Sequence, residues 1–109
     1  MKDYVFVVKT QPVPGQDAAF NDWYDNRHIA DVLAVPGVVA ARRFKGESNY
    51  LAFYSIRTED HKTVLNEIGA RAGTERMPMS SALDEASIDA QLYEEIGPWI
   101  QANGSKSGG

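Results

Sequence analysis

The chain contains no cysteine. That absence excludes a disulfide framework, thiolate metal sites and a cysteine nucleophile. It suits a reducing compartment, so a cytoplasmic location is expected. Histidine is nearly as scarce, with only His28 and His61. The two are far apart in sequence and no carboxylate cluster stands at metal-ligand spacing, so no metal is expected. There is no glycine-rich phosphate loop and no Gly-x-Ser-x-Gly elbow, and no cofactor is expected. A single imidazole, His28 or His61, is thin support for a haem ligand. No stretch approaches the length of a membrane span, and the apolar run in "MKDYVFVVKTQ" is too short for a secretion signal. The net charge of −4 argues against a general nucleic-acid binder. Neither nucleic acid nor membrane is an expected partner.

What remains is the composition of one soluble globular domain. The 109 residues are 43% hydrophobic and 24% charged, enough to bury one core without cross-links. Residues 1–100 are read as that domain. The Gly/Ser-rich stretch over residues 101–109 is expected to be a disordered tail.

"YVFVV" (Tyr4 to Val8) is β-branched and aromatic and reads as a buried strand, followed by the loop "QPVPG". A helix begins near Gln16. Ideal helical spacing places Phe20, Trp23, Tyr24, Arg27 and Asp31 roughly on one face, with His28 at its edge. "VPG" (Val35 to Gly37) closes it. "VVAARRF" (Val38 to Phe44) and "YLAFYSI" (Tyr50 to Ile56) flank the turn "KGESN" and predict an antiparallel hairpin. A second helix starts at Thr58 or Asp60, carries Val64, Leu65 and Ile68, and ends near Gly69 or Gly73. Thr74 to Ala86 reads as a loop with at most one helical turn. "SIDAQLYEEI" (Ser87 to Ile96) alternates as a fourth strand, with Ile88, Ala90, Leu92 and Ile96 on its apolar side.

The order β-α-β-β-α-β predicts a ferredoxin-like α+β fold, an antiparallel four-stranded sheet with both helices on one face. The first three strands are apolar on both faces, whereas a wet face should alternate with polar residues. A second sheet is therefore expected to cover the outer face. The economical source is another copy of the chain, giving a homodimer joined sheet to sheet.

The block "FNDWYDNRHIADVLAVPGVVAARRF" (Phe20 to Phe44) resembles the first helix and second strand of EthD-like members of the dimeric α+β barrel superfamily. The matching pattern is the aromatic pair Trp23 and Tyr24, then His28, then Pro36 and Gly37 before a strand. Where the family often carries proline two residues after the histidine, this chain has Ala30. The resemblance implies the dimeric barrel, and a pocket in each subunit between sheet and helices with the histidine at or near it. It leaves the chemistry open, because the superfamily includes isomerases, polyketide cyclases, cofactor-independent monooxygenases and haem-handling proteins.

His28 is the sharpest candidate, since imidazole accepts and donates protons near neutral pH. Tyr24 lies one turn before it and Asp31 three residues after, so a base with a phenol donor and an orienting acid can be drawn. The competing reading is a histidine that buttresses the helix end. Arg27 can hold a substrate carboxylate or pair with Asp31, four residues on. His61 is either a second functional histidine or a solvated residue of a helix start. Trp23, Phe6, Tyr50, Phe53, Tyr54 and Tyr93 are candidates to line a pocket for a flat apolar ligand, or simply core. "RMPMS" (Arg76 to Ser80) can close over such a pocket. Arg42 and Arg43 point to opposite faces of their strand, so one faces the helices or the partner, and an interfacial salt bridge with an acid such as Glu94 or Glu95 is expected, with a ligand anion as the alternative.

The leading expectation is a cofactor-independent enzyme that moves a proton through His28 on a small apolar, aromatic or lactone-like metabolite, in an isomerisation, cyclisation, elimination or dehydration. The first alternative is a non-catalytic protein that holds a hydrophobic small molecule. The second is oxygen-dependent oxidation or haem binding.

Overall fold

The protein is described from a computed structural model over residues 1–103. Residues 104–109, most of the expected tail, lie outside the described residues. The element order is β1 (Lys2–Thr10), α1 (Asp17–Trp23), a π-helical turn (Tyr24–His28), α2 (Ile29–Leu33), β2 (Val38–Lys45), β3 (Tyr50–Thr58), α3 (His61–Arg71), a 3-10 turn (Glu85–Ser87) and β4 (Asp89–Glu94). All pairings are antiparallel and the strand order is β2-β3-β1-β4. This is the ferredoxin-like fold that the sequence predicts.

The strands alternate as β structure requires. Tyr4, Phe6, Val8 and Thr10 of β1 share a face with Ile56, Tyr54, Ala52 and Tyr50 of β3, their cross-strand partners. That face packs on the helices. Phe20, Tyr24 and Val32 come from the first helical rod and Val64 from α3. Phe20 is 0% exposed, and burying a side chain of that size contributes roughly 2–3 kcal/mol.

Local chemistry fixes the ends of α3 and the start of β2. Asp60 caps α3, its carboxylate accepting from the Lys62 and Thr63 amides and the Thr63 hydroxyl. Of the two cap candidates, Asp60 takes the role, and Thr58 accepts from the Asp60 amide. Gly37 has φ +100, and a Cβ there would lie 2.8 Å from Val64 Cγ2. Only glycine meets both conditions, and this lets β2 start tight against α3.

Three expectations need correction. The first helix is not uniformly α-helical. The Ile29 amide donates to the Tyr24 carbonyl, the five-residue bond of a π turn. His28 is consequently buried, whereas Arg27 points outward. The fourth strand ends at Glu94, so Ile96 is 97% exposed rather than inward. Phe53 and Tyr93 face the outer side of the sheet, where Phe53 pairs with Val7 and Tyr93 with Val5. Within one chain Glu94 and Glu95 are far from Arg42 and Arg43, because β4 and β2 lie at opposite edges of the sheet. Arg43 instead meets Asp25 and Asn21 of the helical rod, and Glu94 sits 3.7 Å from Lys2 Nζ.

The outer face is apolar along its middle, with Val5, Val7, Leu51 and Phe53 half-buried and Phe44 exposed. Beyond β4 the Glu95 amide donates to the Asp3 carbonyl, extending the ladder by one bond. Trp99, 92% exposed, shares a shallow depression with Val5 and Phe53. No helix among the described residues is long and apolar enough to cross a membrane.

Candidate functional site

Between the inner face of the sheet and the helices lies a cavity of about 150 Å³. Phe6, Val8 and Thr10 of β1, Tyr54 of β3 and Ala90 of β4 form its floor. Trp23, Tyr24, His28 and Val32 form one wall. Ile68, Ala72, Met77, Met79, Leu83 and Ile88 close the other.

The first wall depends on the π turn. Residues four apart on an α-helix drift by about 40°, so Phe20, Tyr24, His28 and Val32 would spiral off the sheet. The wider π turn takes back part of that drift, and all four side chains are buried. The same turn stacks the His28 ring on Trp23, centroids 4.5 Å apart and planes 28° from parallel. Tyr24 meets His28 edge-on at 5.1 Å.

The second wall is the stretch between α3 and β4, read from sequence as a loop. The Gly73 amide donates to Met77 O, and the Val13 amide to Ala82 O. The Trp23 indole donates to Pro78 O at 3.0 Å, tying the "RMPMS" segment to the helix. Met77 is fully buried as a result. This segment does close over the cavity.

His28 is 9% exposed, and its Nδ1 is buried without a hydrogen-bond partner. Burial lowers its pKa to about 4, against a raising pull from the Asp31 carboxylate. The imidazole is therefore neutral near pH 7. The Tyr24 phenol neighbours the hydroxyls of Thr10 and Tyr54, yet Thr10 Oγ1 and Tyr54 Oη complete no hydrogen bond of good geometry. Burial raises the pKa of both tyrosines, offset in each by the nearby Arg43 charge. Both stay protonated across the physiological range.

Of the residues proposed from sequence, the cavity gathers His28, Tyr24, Trp23, Phe6 and Tyr54. It does not gather four others. Asp31 binds Arg27 at 2.7 Å, the ion pair weighed as Arg27's other role. Arg27 is half exposed and also donates to the Glu75 carbonyl, so it presents no fork to the cavity. Tyr50 packs on Phe20 with centroids 5.2 Å apart, and its hydroxyl donates to Asp17. His61 packs against Tyr4, ring centroids 5.0 Å apart, at the start of α3. Asp31 still acts on the site through its charge.

Sequence reasoning missed Thr10 and Leu83 as site residues, whereas Met77 and Met79 lie in the "RMPMS" segment read as able to close over the pocket. Thr10 was discoverable, because it shares the inward parity of Tyr4, Phe6 and Val8. Leu83 carried no such signal.

Among the described residues, no group of three or more His, Asp or Glu is arranged to hold a metal ion. The cavity does not fit a porphyrin. Its volume suits one small ring, and no cation lines it to meet a propionate.

No family model matches the chain, and no curated protein matches it. Solved structures do. A protein of unknown function from Nitrosomonas europaea, NE2512, superposes with TM-score 0.61 at 18% identity, covering 94% of this chain and 97% of that one. SnoaB, a cofactor-independent oxygenase from Streptomyces nogalater, gives 0.59 at 17%, covering 92% and 97%. A variant of MhuD with two manganese protoporphyrin IX bound per active site gives 0.62 at 14%, covering 90% and 99%. The chain shares the ferredoxin-like α+β fold of these proteins. At these identities the likeness establishes that fold, and the chemistry of this chain has to come from its own residues.

Proposed function

We propose that the chain is a small-molecule enzyme of the EthD-like kind, which removes a proton from carbon next to a carbonyl without a cofactor. The observation that carries this reading is the neutral imidazole of His28, stacked on Trp23 and met edge-on by Tyr24, in the wall of an apolar cavity. A neutral imidazole keeps one ring nitrogen as an acceptor. The C–H bond breaks and the proton passes to that nitrogen. The electron pair moves into the new C=C bond, and the carbonyl oxygen gains charge that the Tyr24 phenol stabilises by donating to it. His28 is a reluctant base in the resting site. Negative charge developing beside it raises its proton affinity, as Asp31 does from outside. Trp23 fixes the ring plane by stacking.

Enolisation of this kind begins isomerisations, cyclisations and eliminations alike. It also begins a second reading, in which the enolate reacts with dioxygen. The fold shared with SnoaB, a cofactor-independent oxygenase, favours keeping that reading, and oxygen uptake separates the two. We also propose that the protein works in the cytoplasm as a homodimer, pairing its apolar outer sheet faces. Arg27, Asp31, Tyr50 and His61 then act as supports of the fold and not as substrate ligands.

The test is deuterium wash-in. Small cyclic ketones and lactones are incubated with protein in D2O and followed by proton NMR. Wild-type protein should exchange the α-protons of at least one member of the panel well above buffer, and His28→Asn should abolish that. Equal exchange by both proteins would sink the proposal.

A further inference from the structure

The lining of the cavity is graded in its burial. Tyr24, Tyr54 and Met77 are at most 2% exposed, and His28 is 9% exposed. Ala72, Ile88 and Ala90 line the same cavity and are exposed, Ile88 at 42%. The deep end therefore lies at His28. The mouth lies between the end of α3 and the start of β4.

That mouth continues an apolar track. Ala90 and Leu92 pair with Val8 and Phe6, so they point to the helical side of the sheet. On β3 that side is buried at Ala52, Tyr54 and Ile56. On β4 it is not, since Ala90 is exposed and Leu92 half-buried. Across from them Val64, Ile68 and Ala72 recur every fourth residue along α3 and its C-cap, passing from buried to half-buried to exposed. No Lys, Arg, Asp or Glu side chain lines the cavity. A charge on a ring seated there would lose its hydration and find no partner, whereas a charge at the end of a long substituent would reach water at the mouth. The cavity volume of about 150 Å³ holds one small ring, and an apolar chain laid along the track would bury surface on both of its sides. We propose that the site takes a neutral ring bearing an apolar tail, with the ring against His28 and Trp23 and the tail leaving between Ile68 and Ala72 on one side and Ile88 and Ala90 on the other. The inference rests on the reading of this cavity as the functional site, and narrows its substrate class.

The experiment is titration calorimetry with cyclohexanones bearing a methyl, butyl or hexyl group on the α-carbon, and with the same ring bearing an acetate or a hexanoate chain. Each added methylene should tighten binding by up to about fourfold, so the hexyl ketone should bind at least about tenfold more tightly than the methyl ketone. The hexanoate should bind, because its carboxylate reaches water, and the acetate should not. Ile88→Asp puts a charge in the mouth and should cut the preference for hexyl over methyl to below about threefold. Phe53→Asp, on the outer face, should leave that preference in place and so separates the mouth from general adhesion to apolar surface. Both variants are checked for folding by circular dichroism. A flat series, an acetate that binds as tightly as the hexanoate, or a preference that survives Ile88→Asp overturns the inference, as does one lost in Phe53→Asp. A flat series with α-proton exchange intact sinks the tail and leaves the catalytic reading standing. A graded series without exchange does the reverse.

Discussion

Trp23 and His28 stack although five residues separate them on one helical rod. On an α-helix, residues five apart point about 140° away from each other. The π turn between Tyr24 and His28 brings them onto one side. The pair is the centre of the site, and it exists because the helix departs from its ordinary period there.

Stability should depend on pH through His28. Its pKa is lowered from 6.5 to about 4 on folding, so between those values the unfolded chain binds the proton and the folded one resists it. Stability is therefore full above the unfolded pKa and falls as the pH drops toward 4. Urea unfolding at pH 7 and pH 4.5 should show wild-type protein losing about 2 kcal/mol more than His28→Asn. Parallel losses in the two proteins would mean that His28 is not held neutral.

Arg43 should matter more than its exposed partner. Its guanidinium lies 4.4 Å from the Tyr24 ring centroid and binds Asp25 and Asn21 at 2.7 and 2.9 Å. Asp25 is largely solvated, so the ion pair itself is worth little. Arg43→Met should cost about 1–2 kcal/mol in denaturant unfolding, through lost packing, hydrogen bonds and cation–π contact. Asp25→Asn should cost less than about 0.5 kcal/mol. Equal costs would place the weight on the ion pair instead.

The outer face can be tested by charge. Phe53 sits mid-sheet among Val7, Leu51 and Val5 on that side. Sedimentation should find wild-type protein as a dimer at micromolar concentration. Phe53→Asp should be a monomer with unchanged far-ultraviolet circular dichroism. A monomeric wild type, or a dimeric variant, would contradict pairing through this face.

Much of this molecule can be read from the chain alone, for definite reasons. Period-two alternation in Tyr4 to Thr10 and in Tyr50 to Ile56 fixes which residues face the helices. Asp60 and Gly37 mark boundaries by capping and by positive φ. Trp23, Tyr24 and His28 stand out by their chemistry. What the chain concealed was the helical phase between them. Ideal spacing grouped Arg27 and Asp31 with the aromatics and put His28 at the edge, and one five-residue hydrogen bond reverses that order. The path of the stretch from Met77 to Leu83 was hidden for another reason. It has no period of its own and is held by backbone bonds to distant segments, such as Val13 to Ala82. The partner of Arg43 was also out of reach, because strand order decides which acids lie nearby.

The chain has two tryptophans, and the sheet separates them. Trp23 touches the His28 ring and lines the cavity, while Trp99 lies exposed beside Phe53 on the opposite face. The protein thus carries a fluorophore on each of its two working surfaces. Emission from a Trp99→Phe variant reports what enters the cavity, and emission from a Trp23→Phe variant reports what covers the outer sheet. Ligand uptake and the proposed self-association can be followed apart, each in its own variant, without any label.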